Sequence, residues 1–594
     1  VANQYVQDFQ LTVSKLYNRD TADMSNGDWM CANTSLNKKP FDFTRYPFQK
    51  AIADDMHHNL DCMKPSQIGL TEVQIRKSLT ILKRNPNTSL IYTMPNERMF
   101  KRISKARIKP IIEYDKTFKK EGGGRRTDSM DLINIGSSFL YVTGSSEADA
   151  TSINADFVMN DEIDLTPQDM LSLFNSRLQG SDHRVNQRFS TPTYEGFGVD
   201  KGYARSDQFE YMLKCSRCNH HQIPQFNREF VRVDGMPDDI EHFIDLPYRY
   251  IDSGKVKIET ATVGCQKCHK PLNLGDYDNR EWVAKFPTRT LHRGYRIRNF
   301  STHRLGPIYT FEQMFKYLEK DNPKGFHNTV LGEPYTNADQ KFVDSELDLA
   351  FRNSGVPEPI SGAPYFLGVD IGKTCNIVVA LIQDPKKANV VLTMTCSADH
   401  LTEVIGRLDS KYRFVSGVLD RYPYTPTVNS IRDASSGRLM PAHYSAAKTV
   451  DEVKDELGGI DYVKVNRTTV LDGVFYGIKG GGWTIDGFTT YKEVIKEHLK
   501  DMVRDEIEEG QAVWKKLNGN DHFFHALGYC LAAFYYKGVL SNNTEWQNTF
   551  ADISGLGDTG QFGTTNDSFF ETESLIGFGG GGSPQRDTII RRHK

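Results

Sequence analysis

The sequence predicts an α/β protein: two strand–helix units in series, with a cysteine-bearing insert in the first. Three observations carry that expectation. From about residue 41, short apolar strands (LIYTM at 90–94, FLYVTG at 139–144, DFVMNDE at 156–162) alternate with helical stretches, the pattern of a parallel sheet covered by helices. Two CxxC pairs interrupt that pattern between about 205 and 290. A Pro/Gly-rich stretch at 354–364, SGVPEPISGAP, precedes a second strand-led pattern opening with YFLGVD at 365–370.

The organisation expected is an N-terminal arm or small helical cap over 1–40, a first unit over 41–353 and a linker over 354–364. A second unit follows over 365–540, and a flexible Gly-rich tail over 541–594. A chain of 594 residues suits three or four domains, at roughly 150 residues each. The net charge of −3, from 73 Lys+Arg against 76 Asp+Glu, neither announces nor excludes a nucleic-acid partner. A DNA-binding surface must then come from local clusters such as 101–109 (KRISKARIK), 116–126 (KTFKKEGGGRR) and 289–304 (RTLHRGYRIRNFSTHR), each of which reads equally well as a solvated face. No apolar run long enough to span a membrane is present, and the start, VANQYVQDFQ, lacks the features of a secretion signal.

The segment 64–71, KPSQIGLT, is the first to carry chemistry. A standard phosphate loop reads GxxxxGK[ST]. Here Gly69 and Thr71 hold the second-glycine and hydroxyl positions, while Leu70 replaces the usual lysine and Lys64 stands at the first glycine. The loop Lys64, Pro65, Ser66, Gln67, Ile68, Gly69, Leu70 and Thr71 is expected to wrap nucleotide phosphates with backbone N–H groups ahead of a helix. Thr71 offers a hydroxyl to Mg²⁺, and Lys64 reaches the phosphates from the other end of the loop. Alone, this is as easily an ordinary loop-to-helix turn. Two further features shift the balance. The apolar strand at 156–162 ends in Asp161, placed to hold the Mg²⁺ shell, and Glu162, placed to activate the attacking water. Upstream, Tyr46 and Gln49 offer an aromatic ring and an amide to adenine. That order predicts an additional-strand P-loop ATPase domain using ATP with Mg²⁺. Arg98, Arg102, Arg177 and Arg188 are all open as the arginine that steadies the transition state.

Cys215, Cys218, Cys265 and Cys268 form two knuckles separated by 46 residues. Four thiolates suit a tetrahedral structural Zn²⁺, with a small subdomain filling the long gap. His220, His221 and His269 stand beside the knuckles as possible substitutes, and redox pairing is the alternative. The remaining five cysteines are scattered, which fits a reducing compartment.

In the second unit, Asp370 ends the strand at 366–370, Asp420 ends the strand at 415–420, and Asp521 opens the helical stretch 521–529. An acid on the first strand, a second on the fourth and a third at a late helix is the layout of an RNase H-like nuclease domain. Such carboxylates can hold two Mg²⁺ or Mn²⁺ ions about 4 Å apart, which activate water and stabilise the leaving oxygen. A lone strand-end aspartate is often only a turn former. His522 and His525 can assist as ligand or proton carrier, although a packed helix histidine is commoner; Asp472 and Asp486 stand in reserve.

Over about 41–535 the sequence resembles the large terminase subunits of tailed phages, closest to the lambda-type, GpA-like branch. In that branch the phosphate-loop lysine is displaced to the front of the loop, as Lys64 is here. The stretch 189–193 (FSTPT) looks like the family's coupling motif, which makes Ser190 and Thr191 sensors of the γ-phosphate. The stretch 326–335 (FHNTVLGEPY) resembles a segment found just before the family's nuclease domain, and no generic chemistry demands it. The resemblance implies a DNA-packaging motor that translocates double-stranded DNA into a procapsid and cuts concatemeric DNA with a metal-dependent nuclease. It also places the nuclease acids at Asp370, Asp420 and Asp521. It implies a portal protein and a small terminase subunit as partners, a homo-oligomeric ring, no membrane, and the host bacterial cytoplasm as the place of action. An ATP-dependent helicase–nuclease for repair or defence shares the chemistry, but helicase motifs beyond the two nucleotide signatures are not recognisable. A zinc-stabilised structural protein is the non-enzymatic alternative.

Overall fold

The computed structural model describes residues 23–118, 129–146, 150–151, 153–352, 359–508, 511–517 and 519–540. Helix α1, Asn26–Asn33, starts on a Ser25 side-chain cap and buries Trp29 and Met30 in the first core. The stretch 1–40, expected to be an arm or a small helical cap, holds this helix in its described part. Its second half is docked, because two large apolar side chains on one short helix gain more by burial than by exposure. Residues 1–22 lie outside the described residues, as does the tail expected over 541–594.

The first unit is built on β1 (Asn59–Met63), α2 (Leu70–Arg84), β2 (Ser89–Thr93), β3 (Leu132–Ile135), β4 (Ser138–Thr143), β5 (Phe157–Asp161), β6 (Val185–Ser190), α3 (Gly198–Arg205), β7 (Phe209–Lys214), β8 (His221–Gln222), β9 (Arg280–Ala284) and β10 (Arg293–Arg296). The strands form one ten-stranded sheet in the order β8-β7-β10-β1-β6-β5-β2-β4-β3, with β9 paired to β7. From β7 through β10, β1, β6, β5 and β2 to β4 every pairing is parallel. Of these strands the sequence showed β2, β4 and β5, whose apolar runs suit a parallel sheet. A polar ladder fixes the relative register of β2, β5 and β6. Thr93 Oγ1 donates to Asn160 at 2.8 Å, Asn160 to Asn186 at 2.9 Å, and Asn186 to Asn175 at 2.9 Å.

From Val73 to Leu82 helix α2 is buried at every position, and even Arg76 and Lys77 are fully buried. The Lys77 ammonium survives there because the carbonyls of Ile52 and Asp55 and the Gln187 amide oxygen accept its protons. Burial still pulls its pKa down to about 8.

The cysteine-bearing insert is less separate than the sequence suggested. Its flanks, β7 and β9, extend the main sheet, and only the stretch between them projects, with its own strand pair Val231–Asp234 and Lys257–Val263. Phe230, Phe243 and Val263 share a core with Phe300, Phe311 and Phe326 from beyond it.

The second unit starts earlier than expected. Helix α4, Asp344–Ala350, and its neighbours place Phe342, Leu347, Ala350 and Phe351 in a core with Phe475 and Phe524. The boundary drawn at 353 therefore moves upstream. Of the expected linker 354–364, residues 354–358 lie outside the described residues. The sheet contains β11 (Tyr365–Asp370), β12 (Thr374–Asp384), β13 (Lys387–Ser397), β14 (Ser416–Asp420), β15 (Leu439–Tyr444), β16 (Val450–Lys454), β17 (Ile460–Val465) and β18 (Trp483–Ile485), in the order β16-β17-β15-β14-β11-β12-β13-β18. Helix α5, Arg467–Lys479, and the long α6, His522–Leu540, cover one face, and a hairpin, β19 (Met502–Glu508) and β20 (Gln511–Lys516), precedes α6. The units meet where Tyr194 packs with Val503 and Leu517, and where Lys324 reaches both the Tyr194 hydroxyl at 2.7 Å and Asp505 at 2.8 Å.

Gly368 sets how closely α6 lies on β11. A Cβ there would come within 2.1 Å of the Ala526 carbonyl oxygen and 2.3 Å of the Cys530 nitrogen. Backbone cannot yield as a side-chain tip does. Gly368→Ala is expected to destabilise the second unit by about 3 kcal/mol or more, read as a lowered thermal transition with nucleotide binding by the first unit intact. An unchanged melting curve would show that the close approach is not needed.

Candidate functional site

The edge formed by the carboxyl ends of β1, β5 and β6 gathers the first group of residues. Register sets Met63 opposite Ser190 and Asp161 opposite Phe189, so Lys64, Glu162 and Thr191 each leave the sheet at one level. Lys64 Nζ donates to Glu162 Oε1 at 2.8 Å and to Thr191 Oγ1 at 3.4 Å. Thr191 N–H donates to Glu162 Oε2 at 3.3 Å, and Ser66 Oγ lies 3.4 Å from Thr191 Oγ1. Asp161 accepts from the Tyr92 hydroxyl at 2.9 Å and from Thr71. Burial, with Glu162 beside it, pushes the Asp161 carboxyl up to about 6, against the opposing pull of Lys64. Burial also works against the Lys64 charge, but Glu162 and Asp161 outweigh it and raise the lysine.

The residues from Lys64 to Thr71 connect β1 to α2, with Gly69 at φ 78 ahead of the helix. They line a cleft of about 840 Å³ together with Tyr46, Gln49 and Glu162. Pro65 is the exception, since it turns away to pack on Gly332. Gln49 is buried and its amide donates to the Ile68 carbonyl at 2.6 Å, so it anchors the loop rather than standing free for a base. Arginine choice narrows as well. Arg188 is locked onto Asp61 and Asn59, and Arg177 binds Ser176 and the Thr151 carbonyl. Of the four arginines read from the sequence, Arg102 is the one that lines the cleft, joined by Arg45 and Arg107.

Sequence reading missed Asp164. It is buried behind Glu162, and it accepts from Thr193 N–H at 2.8 Å, Thr193 Oγ1 at 2.9 Å and Val199 N–H at 2.9 Å. Burial drives it up to about 7. The only signal was a third acid two residues past Glu162. The stretch 326–335 also finds its place: Thr329 carbonyl accepts from Ser66 N–H at 2.8 Å, and Tyr335 N–H donates to Thr193 carbonyl at 3.0 Å.

The four knuckle cysteines converge. Cys215 Sγ lies 3.8 Å from Cys268 Sγ, Cys218 Sγ lies 3.6 Å from Cys265 Sγ, and all four lie within 4.8 Å of one another. A tetrahedron with Zn–S bonds of about 2.3 Å has edges of about 3.8 Å. The two knuckles are one turn used twice. Cys215 N–H donates to His220 carbonyl as Cys265 N–H does to Lys270 carbonyl, and Asn219 and His269 hold the matching positive φ of 58 and 59. His269 thus serves the turn and His221 faces Glu281, so neither substitutes for a thiolate.

In the second unit, Val369 pairs with Leu419 in parallel, so Asp370 and Asp420 leave adjacent strands side by side. Burial, then the neighbouring Asp370, pushes Asp420 up to about 7. Asp521 precedes α6 and is held well below the usual carboxylate range, because the hydrogen bond from His525, with Lys516 nearby, outweighs burial. His522 Nδ1 lies 2.9 Å from Asp370 Oδ2, and this bond raises its pKa. An oxygen-rich donor set with two mutually repelling carboxylates fits a hard divalent cation. Among the described residues, though, only the cysteines bring three or more ligand atoms within 4.8 Å of each other, so the aspartates stand wider apart. The reserves fall away. Asp472 is held by Arg504 at 3.0 Å and Trp514 Nε1 at 2.8 Å, and Asp486 caps a turn at Phe488.

The basic stretch 289–304 is not a free patch. Arg293 pairs with Asp55 and Asp207, Arg296 with Glu333, and Arg298 with Glu210 and Glu333. The cluster 116–126 lies mostly outside the described residues. Among the described residues no helix is long and apolar enough to cross a membrane.

Comparison with known proteins gives three kinds of result. No curated protein matches the chain. Among solved structures, the HK97 bacteriophage large terminase is similar at 11% identity, covering 86% of this chain and 100% of that one, with a TM-score of 0.46. A large terminase from a thermophilic bacteriophage is similar at 11% identity over 82% of this chain and 96% of its own, TM-score 0.27. The large terminase nuclease of thermophilic phage G20c, solved with bound magnesium, is similar at 15% identity over 33% of this chain and 97% of its own, TM-score 0.23. A family model described as phage terminase large subunit gpA, ATPase domain, matches residues 35–282, the stretch that holds Lys64, Asp161, Glu162, Thr191 and the four cysteines. Over residues 35–282 the chain is therefore similar to the ATPase domain of the phage terminase large subunit gpA.

Proposed function

We propose that the chain is the motor subunit of a tailed-phage DNA-packaging machine, an ATPase and a metal-dependent endonuclease on one polypeptide. The observation that carries the reading is the meeting of Lys64, Asp161, Glu162 and Thr191 at one sheet edge within the segment similar to the gpA ATPase domain. In this reading the loop 64–71 and Lys64 bind the triphosphate of ATP, and Thr71 and Asp161 face its Mg²⁺. Glu162 accepts the proton of the attacking water, and Ser190 and Thr191 sense the γ-phosphate. Lys64 leaves Glu162 for the phosphates when ATP enters, which frees the base. Asp370, Asp420 and Asp521 would hold Mg²⁺ or Mn²⁺, and the ion would supply water activation and stabilisation of the leaving oxygen. The four cysteines hold a structural Zn²⁺. Double-stranded DNA, a portal protein and a small terminase subunit are the partners, with a homo-oligomeric ring at the procapsid in the host bacterial cytoplasm.

Three outcomes test this. Glu162→Gln is expected to bind ATP as wild type does and to lose turnover by about 10²–10⁴-fold; persistent turnover would mean that another group is the base. Asp370→Asn is expected to abolish Mn²⁺-dependent cleavage of plasmid DNA with ATP turnover near wild type, and loss of both activities would contradict the division of labour between the units. Elemental analysis is expected to find about one zinc per chain, reduced together with the melting temperature in Cys265→Ser. A native protein free of zinc removes the metal assignment.

A further inference from the structure

Behind the three aspartates lies a buried polar chain that the proposed chemistry does not use. His525, one turn into α6, has Nε2 at 3.0 Å from Asp521 Oδ2 and Nδ1 at 3.0 Å from the Tyr444 hydroxyl. A carboxylate only accepts, so in the neutral ring Nε2 carries the proton and Nδ1 accepts from Tyr444. The chain is thus directed: Tyr444 O–H donates to His525, and His525 N–H donates to Asp521. Tyr444 ends β15, whose Ala442 pairs with Asp420. Its ring stacks on Tyr529 with centroids 4.8 Å apart and planes 9° from parallel, and Tyr529 hydrogen-bonds Asp420. Two acids on different elements, Asp420 on a strand and Asp521 before a helix, are therefore tied to one stacked tyrosine pair.

We propose that Tyr444 and His525 are positioning residues for metal binding. They fix Asp521 Oδ2 from behind, so that Oδ1, which now faces Lys516 at 3.5 Å, is left to bind a divalent cation at the site to which Asp370 and Asp420 also contribute. The proposal rests on the nuclease reading. It explains why two tyrosines, their hydroxyls raised well above the ordinary range by burial, stand beneath a polar site, where leucine or phenylalanine would fill the space without needing partners. Neither residue touches the cation or DNA in this account.

The test uses the full chain and Mn²⁺ itself. Mn²⁺ binding is followed by the paramagnetic signal of the free ion, and plasmid cleavage is measured against Mn²⁺ concentration. Tyr444→Phe keeps the ring and its stacking but removes the donated proton. It is expected to raise the half-saturating Mn²⁺ about tenfold in both measurements, with melting temperature and ATP turnover unchanged and with cleavage largely restored at high Mn²⁺. His525→Gln, which keeps a donor near Asp521, is expected to lie closer to wild type than His525→Leu. Wild-type Mn²⁺ affinity in Tyr444→Phe would overturn the proposal, as would cleavage that falls only in step with melting temperature across the variants. Asp370→Asn separates the two levels. If it too binds Mn²⁺ and cuts like wild type, the metal site is elsewhere and the nuclease reading fails along with this one. If it alone loses both, only the positioning role is refuted.

Discussion

A buried ammonium 2.8 Å from a glutamate holds three segments of the first unit together. Lys64 follows β1, Glu162 follows β5, and Thr191, which touches both, follows β6. Asp161 and Glu162 are consecutive carboxylates at a buried edge, and without a cation between the strands their charges would work against the fold. Glu162 reaches Lys64 by adopting φ 54 and ψ 49, a left-handed backbone unusual for a residue with a Cβ. That conformation costs about 1–3 kcal/mol and is held by the Glu162 N–H bond to Phe189 carbonyl at 2.7 Å. In the function proposed above, the triphosphate competes with Glu162 for that lysine.

The same edge is tied outward. Asp164 binds the chain two residues beyond Thr191, and Thr329 and Gly332 lean on the loop at Ser66 and Pro65. Next to these, Tyr194 and Lys324 contact the hairpin β19–β20, whose Lys516 lies 3.5 Å from Asp521. The two catalytic regions proposed here are thus joined by contiguous side-chain contacts. Contiguity of this sort is a physical route for coupling, and only a perturbation at one end can establish that it carries any.

Much of this was legible in the sequence for a simple reason. Strands buried in a parallel sheet tend to be apolar until they end, so the acids that end them stand out, as Asp161, Asp370 and Asp420 do. The knuckles were legible because thiolate spacing is local. What escaped depends on distant partners. Nothing local marks Gln49 as a prop for Ile68, Pro65 as a contact of Gly332, or Tyr444 as a neighbour of His525, 81 positions away. Charge clusters misled for the same reason: Arg293, Arg296 and Arg298 read as a basic stripe, yet their carboxylate partners lie on other elements. The unit boundary was misplaced because α4 looks like the end of one domain in sequence and packs as the start of the next.

The central claim is that Lys64, though out of its usual position, is the phosphate-binding lysine. Titration of Lys64→Met with a non-hydrolysable ATP analogue and Mg²⁺ tests it most directly. The account predicts a large loss of analogue affinity with the zinc content and second-unit stability of the wild type. Analogue binding at wild-type affinity would contradict it.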